Sequence, residues 1–282
     1  MNKFLFLLHF LFLFIFEHNS WAQDTVVRPY PMDDRAILWK IEGNGVSTKS
    51  YLFGTVHLVE KEHFYFPKKL RKIVGKSEVL TMEIAGLPDP AEAMKLSQLE
   101  EGTFFDLFSG EQKDSILVWV ENNTDLTPKA FEMIANKMKP FVVSQLLTEM
   151  NKNNPGGSFA NKESYERELE AIAKEAELEL KGFETVAEQM SYFDSFTDEQ
   201  QVEMVMSTVR GTGNEPIEEL EKMMSLYDEQ HVDGLYQLIA EDSEMDKEMN
   251  DLLLTNRNKR WIPMIEEMIS EKSTFIAVGA GH

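Results

Sequence analysis

Cysteine is absent from the 282 residues of the sequence. A chain without cysteine forms no disulfide bonds, and it offers no thiolate to a metal ion, so zinc–thiolate sites are excluded. Stability must therefore come from the hydrophobic core. Any bound metal must be held by histidine, carboxylate or backbone oxygen.

Positive charge is also scarce. The chain has 28 Lys and Arg against 49 Asp and Glu, which gives a formal net charge of −21. The phosphates of nucleic acid would be repelled by such a protein, so we expect no nucleic-acid partner. An anionic lipid surface is unfavourable for the same reason, and the acidity mainly favours solubility. Nothing in the sequence predicts an oligomeric state.

Long apolar runs are limited to one near the start. Phe4 to Phe16 is almost wholly apolar, but it is shorter than the roughly 20 residues that span a bilayer. Lys3 precedes it, and Ser20–Ala22 supplies small residues typical of a cleavage site. We therefore predict a signal peptide over 1–22 and a mature domain over 23–282. The protein would be exported, periplasmic or secreted, without stable membrane insertion after cleavage; an uncleaved anchor is the alternative.

Strand-like segments lie near both ends of the chain, and helix-like segments fill the middle. Residues 34–57 have the pattern of a β-hairpin, 78–84 that of a further strand, and 274–278 that of a buried strand. Between them, apolar residues recur at helical spacing over about 91–150 and 195–250. The sequence thus predicts an α/β fold. A central mixed β-sheet is built from the N- and C-terminal segments, with a helical layer or cap from the middle of the chain.

Two of the four histidines outside the predicted signal peptide end a strand inside a Gly-x-x-His motif, Gly54–His57 and Gly279–His282. A glycine at the carboxyl end of a strand allows a sharp turn. The histidine can then point into the crevice where α/β sheets bind ligands. Because imidazole is the commonest metal-binding side chain, the pair indicates a metal site. The alternative is two ordinary turns, each with a structural histidine.

Two carboxylates and one arginine are further candidates. Glu83 ends a predicted strand and could supply the oxygen of a site with two histidines and one carboxylate; the alternative is a surface glutamate. Glu184 ends another strand and could be a general base or a ligand, or again a surface residue. Arg257 lies in a predicted helix, where it could hold a substrate carboxylate or a developing oxyanion. A solvated or ion-paired arginine is the alternative.

Several segments follow one another in an order that resembles a known family. They are Leu38–Ile41, Tyr51–His57, Glu83 after an apolar strand, Gly182–Thr185 with Gln189, Arg257–Trp261 and Thr274–His282. Together they extend over nearly all of the predicted mature chain. In this order they resemble the TraB/GumN family, which includes the Tiki metalloproteases.

The resemblance implies a metal-dependent, peptidase-like hydrolase. Its divalent metal would be Mn²⁺ or Co²⁺, with Zn²⁺ as a further option, held by His57, Glu83 and His282. Glu184 and Arg257 would be catalytic, and the substrate would be a peptide or protein. A non-catalytic haem- or metal-binding protein of the same fold, or an esterase, is the alternative. The family pattern runs on past its last histidine, so we expect either further chain or a ligand at the terminus.

Overall fold

The computed structural model describes most of the chain beyond the predicted signal peptide, which itself lies outside the described residues. The described ranges are 35–43, 45–61, 63–86, 90–152, 162–211, 215–241 and 247–282. They form two compact units. One holds the described residues within 87–162 and 186–215, and the other holds those within 35–86, 163–185 and 216–282. In these ranges no helix has the length and apolar character that crossing a membrane requires.

The strands confirm the predicted α/β class. They are β1 (Leu38–Gly43), β2 (Val46–Thr55), β3 (Val59–Glu60), β4 (Val79–Ile84), β5 (Lys162–Glu163), β6 (Glu179–Glu184) and β7 (Thr274–Gly279). Five of them form one sheet in the order β1-β2-β7-β4-β6. Strands β1 and β2 are antiparallel, while β2, β7, β4 and β6 run parallel. The sheet is therefore mixed and joins both ends of the described chain, as predicted.

Helices cover both faces of this sheet. The helices of the unit that contains the sheet are α1 (Lys68–Val74), α6 (Tyr165–Glu175), α9 (Glu215–Asp228), α10 (Val232–Tyr236), α11 (Lys247–Asn250) and α12 (Asn256–Glu271), with π-helical turns at Gln237–Glu241 and Asp251–Thr255. Successive side chains of β7 point to opposite faces. Phe275 packs in one core with residues of α1 and α6, and Ile276 packs in a second core with Trp261 of α12. The continuous apolar character of β7 thus reflects burial on both sides.

The other unit is helical. It contains α2 (Pro90–Leu96), a 3₁₀ turn (Phe104–Leu107), α3 (Gly110–Asn123), α4 (Pro128–Ala135), α5 (Pro140–Met150), α7 (Val186–Asp194) and α8 (Asp198–Arg210). The hydroxyls of Ser109, Thr127 and Thr197 accept hydrogen bonds from backbone N–H groups and so begin α3, α4 and α8. Helix α5 is buried along residues 140–147 and packs against α8.

The predicted helical layer extended from 195 to 250, whereas the structure divides that range between the two units. Residues from 216 onward belong to the unit with the sheet. Met224 and Tyr227 of α9 and Leu235 of α10 pack into the same core as Phe53 and Phe275. Helical spacing identifies the buried side of a helix but not the surface that covers it, so the sequence pattern did not distinguish these helices from those of the helical unit.

Candidate functional site

Four parallel strands end at one edge of the sheet. Thr55 lies opposite Gly279 in the pairing of β2 with β7, and Ile84 lies opposite Glu184 in the pairing of β4 with β6. Parallel strands present their carboxyl ends at the same edge, which is where α/β proteins commonly bind ligands. The predicted site residues on the strands and on the turns after them therefore gather at this edge.

Three predicted metal ligands meet around Gly279. A Cβ atom built on this glycine would lie 3.2 Å from Glu83 Oε1, 3.8 Å from His282 Cδ2 and 3.9 Å from His57 Nε2. The Nε2 atom of His282 is itself 3.8 Å from Glu83 Oε1. The structure thus brings the two Gly-x-x-His turns and Glu83 to one place. Any side chain at position 279 would fill the space between them.

The orientation of His57 is fixed by Glu166, in the first turn of α6. His57 Nδ1 lies 3.0 Å from Glu166 Oε1, and an ionised carboxylate can only accept, so Nδ1 carries the hydrogen. The same carboxylate accepts hydrogen bonds from Thr55 Oγ1 at 2.7 Å and from Ser164 Oγ at 2.9 Å. On the other side of the ring, Nε2 is buried with no hydrogen-bond partner among the described residues. Burial lowers the pKa of His57, but the Glu166 carboxylate outweighs this effect and raises it to about 9.

His282 is held by Asn258 of α12. The side-chain amide of Asn258 donates to the carbonyl oxygen of His282 at 2.9 Å, which places Asn258 Oδ1 2.7 Å from His282 Nδ1. That oxygen can only accept, so Nδ1 of His282 carries the hydrogen. Burial lowers the pKa of His282 to about 4, against the opposing effect of Glu83. The ring is therefore neutral near pH 7, with the lone pair on Nε2.

Glu83 lies between His282 and Arg257. Its Oε2 accepts a 2.7 Å hydrogen bond from Arg257 Nη2, and its Oε1 accepts a 2.8 Å hydrogen bond from the backbone N–H of Gly279. Burial alone would raise the pKa of Glu83, but the facing His282 and Arg257 lower it to about 2. Glu83 is therefore an anion at neutral pH, and its Oε1 faces the two imidazoles.

Glu184 lies against two arginines. Its carboxylate accepts hydrogen bonds from Arg257 Nε at 3.1 Å and from Arg257 Nη2 at 2.8 Å, and Arg260 Nη2 also binds it. The Glu184 side chain is fully buried. We predicted a general base or a ligand from the sequence. The contacts instead favour a partner that neutralises Arg257 and holds it in place.

Arg257 joins the two carboxylates. Besides its bonds to Glu83 and Glu184, it donates from Nη1 to the carbonyl of Leu253 at 3.0 Å, and only 1% of its surface is exposed. Burial would lower its pKa, but Glu83 and Glu184 raise it above the ordinary value. Arg257 is therefore an ion-paired arginine, which was the alternative stated from the sequence. Its partners, Glu83 and Glu184, are themselves candidate site residues.

The charges at this edge do not cancel. Glu83 and Glu184 bind the guanidinium groups of Arg257 and Arg260, and a third, mostly buried carboxylate, that of Glu166, binds His57. With neutral imidazoles, three negative and two positive charges leave one negative charge in excess. A proton on His57 or a bound cation would compensate it, which is the same electrostatic effect that raises the pKa of His57.

The donor atoms fit a divalent metal in kind and in direction. Metal-ligating histidines almost always donate their second ring N–H to an oxygen, which fixes the tautomer and the ring orientation. Both His57 and His282 have such a partner, and Glu83 adds an oxygen. As the side chains are placed, no group of three or more His, Asp or Glu in the described part of the chain is close enough together to hold an ion. Binding would therefore require side-chain movements that bring the three donor atoms closer together beside Gly279.

Two residues that position the histidines were not predicted from the sequence. Asn258 lies inside the segment Arg257–Trp261 that carries part of the family resemblance, so a signal existed for it. Glu166 has no such signal, because it is 109 positions from His57 and stands in an acidic helix among similar residues. Only the packing of α6 against the sheet distinguishes it from its neighbours.

Comparison with known proteins gives one match. The sequence profile of the TraB/PrgY/gumN family matches residues 37–282, a range that contains all five predicted site residues, His57, Glu83, Glu184, Arg257 and His282. No curated protein and no solved structure matches the chain.

Proposed function

The chain belongs to the TraB/PrgY/gumN family, and from this premise we propose that it is a metal-dependent hydrolase of peptide or protein substrates. A divalent cation, Mn²⁺ or Co²⁺ by the family resemblance, is held by His57, Glu83 and His282. The observation that carries this proposal is the arrangement around Gly279. The Nδ1 atoms of the His57 and His282 imidazoles are hydrogen-bonded to oxygen atoms. The opposite edges of the two rings lie at the place that Glu83 Oε1 also faces.

The ligand set is chemically consistent. Two imidazole nitrogens and one carboxylate oxygen suit Mn²⁺, Co²⁺ and Zn²⁺ alike, so the donors do not select among these ions. The excess negative charge at the sheet edge favours a cation over a neutral or anionic ligand. A cation at this place would replace the proton on His57.

The remaining polar residues have positioning roles in this proposal. When bound, a divalent ion polarises a carbonyl group and lowers the pKa of water, which is the chemistry that hydrolysis needs. Arg257 donates a hydrogen bond to Glu83 Oε2 and so orients the carboxylate with Oε1 facing the histidines. Glu184 and Arg260 in turn keep Arg257 in place. The role of Arg257 would therefore be to orient a ligand, in addition to any contact with substrate.

One observation favours a second candidate, a protein that binds metal without turnover. Glu184, the general base that the sequence suggested, is occupied by Arg257 and Arg260. Glu166 is likewise occupied by His57, Thr55 and Ser164. If no carboxylate takes a proton from water, the same edge would retain an ion but would not catalyse hydrolysis.

Cleavage of a peptide library by the purified protein distinguishes the candidates. We expect products with Mn²⁺ or Co²⁺, none with chelator, and recovery when the ion is restored. The matched control is Glu83→Gln, which keeps the shape of the side chain and removes the charge. Cleavage that persists in chelator or in Glu83→Gln would contradict the proposal. A protein that binds one ion tightly and cleaves nothing would be the metal-binding candidate.

A further inference from the structure

The two candidate ligands are anchored by side chains of different charge. His57 Nδ1 bonds to the carboxylate of Glu166, whereas His282 Nδ1 bonds to the amide oxygen of Asn258. Building on the proposed function, we infer that Glu166 and Asn258 are matched positioning residues that present the two Nε2 atoms to the metal. We further infer that the anionic anchor makes His57 the stronger of the two imidazole ligands.

Glu166 is built into the sheet edge rather than lying loosely beside it. Thr55, the last residue of β2, donates its hydroxyl hydrogen to Glu166 Oε1, and Ser164, which caps α6, donates to Oε2. The carboxylate is mostly buried, since its side chain is 13% exposed. Each of its oxygens has a donor, so the side chain is fixed in one orientation. It can therefore hold the ring of His57 in one orientation too.

Asn258 is fixed in a different way. It accepts from His282 Nδ1 through Oδ1 and donates to the backbone carbonyl of the same residue through Nδ2. Its neighbour Arg257 binds Glu83. Two consecutive residues at the start of α12 thus orient two of the three candidate ligands, while α6 orients the third.

The difference in charge has a consequence for ligand strength. A carboxylate that accepts an imidazole N–H polarises the ring and makes the opposite nitrogen a better donor, and a neutral amide does so less. Loss of Glu166 should therefore weaken metal binding more than loss of Asn258. Changes to such outer partners typically cost about 10- to 100-fold in metal affinity.

The test is metal affinity, measured by calorimetry with Mn²⁺ and by the visible absorption of Co²⁺. The variants are Glu166→Ala, Glu166→Gln, Asn258→Ala and Asn258→Asp. Glu170→Gln on α6 and Asn256→Ala on α12 are matched controls on the same helices. We expect the two alanine variants to bind about 10- to 100-fold more weakly, with Glu166→Ala the weaker. Glu166→Gln and Asn258→Asp each keep an acceptor oxygen and should recover part of the loss.

A structural role alone would give a different result. Urea unfolding of each variant in chelator shows whether the fold without metal is weakened, and a loss of affinity without loss of stability supports positioning. Alanine variants that bind as tightly as the parent protein would overturn the inference. Equal losses of metal affinity in Glu166→Ala and Asn258→Ala would contradict the inference that His57 is the stronger imidazole ligand.

The hydrogen positions on the two imidazoles report the roles of Glu166 and Asn258 even without metal. If the parent protein binds no metal, the proposed function fails, but ¹⁵N NMR of the metal-free protein still reports the imidazole hydrogens. We expect a hydrogen on Nδ1 of both His57 and His282, and a shift of His282 towards the Nε2–H tautomer in Asn258→Ala. A parent protein with the hydrogen of His282 on Nε2 would overturn the positioning role of Asn258.

Discussion

Arg257 donates a 2.7 Å hydrogen bond from Nη2 to Glu83 Oε2, and both side chains are almost fully buried. A buried charge is tolerated only when it is paired and hydrogen-bonded. Arg257 also pairs with Glu184, so one guanidinium on α12 bridges two carboxylates at the ends of the neighbouring strands β4 and β6. This ion pair connects the stability of the sheet edge with the orientation of the candidate ligand Glu83.

Replacement of Arg257 by alanine should therefore destabilise the fold strongly. It leaves Glu83 and Glu184 buried with reduced compensation, and breaking a buried pair from one side typically costs about 3–5 kcal/mol. Urea unfolding in chelator measures this loss without any contribution from metal.

The matched control is Arg260→Ala. Arg260 shares Glu184, but its own side chain is 47% exposed and Glu184 keeps its bonds to Arg257, so we expect a smaller loss than in Arg257→Ala. Equal losses in the two variants would show that burial of the Arg257 pair has no special weight.

Glu184→Gln separates a positioning role from a general base. If Glu184 only holds Arg257, the variant should lose about 1.5–3 kcal/mol of stability, the range for hydrogen bonds to charged groups, and should retain bound metal and part of its cleavage activity. A general base would show the same loss of stability, because the bonds to Arg257 and Arg260 are present in either case, but turnover at full metal occupancy would fall by about 100- to 10,000-fold. Unfolding and cleavage are measured on the same preparation.

Gly279→Ala tests the space between the three candidate ligands. The added Cβ would lie 3.2 Å from Glu83 Oε1 and within 4 Å of both histidines. We expect about 10- to 100-fold weaker metal binding, with a stability loss of about 1–3 kcal/mol from the crowding. Gly110→Ala is the control, because a Cβ there meets nothing within 4 Å. Metal affinity equal to that of the parent would show that this space does not hold the ion.

Glu149, in the helical unit, should make the stability of the protein depend on pH. Burial raises the pKa of Glu149, in α5, from an ordinary 4.5 to about 7. The folded chain therefore keeps a proton between these pH values that the unfolded chain releases, so Glu149 lowers stability as the pH rises through this window. Glu149→Gln should gain stability relative to the parent at pH 8 but not at pH 5. The exposed Glu121→Gln should show no such change, and a similar change there would refute the assignment.

The strands at the two ends of the chain were predictable from the pattern of apolar residues and from the motifs that end them. The continuous apolar run at 274–278 indicated a buried strand, and the two Gly-x-x-His motifs indicated the edge at which strands end. The allocation of α9 and α10 to the sheet unit was not predictable. Their apolar faces pack on Phe53 and Phe275, and helical spacing carries no information about the partner surface.

Five residues of the candidate site were selected from the sequence, but the contacts that connect them were not predicted. His57, Glu83, Glu184, Arg257 and His282 were all selected from strand ends, turns and one helix, and the structure gathers them. The pairing of Glu184 with Arg257 and of His57 with Glu166 was not predictable. These contacts join residues far apart in the chain, and each of the acidic residues has many equivalents in a protein of net charge −21.

The most direct test of the account is the number of metal ions bound per chain in single-ligand variants. We expect the parent protein, dialysed against Mn²⁺ or Co²⁺, to bind one ion per chain, and His57→Ala, Glu83→Gln and His282→Ala each to bind it far more weakly. His63→Ala is the control, since His63 pairs with Asp228 in an exposed position, and it should bind as the parent does. A parent protein that retains no ion, or three variants that retain it as well as His63→Ala does, would contradict a metal site built from the two Gly-x-x-His turns.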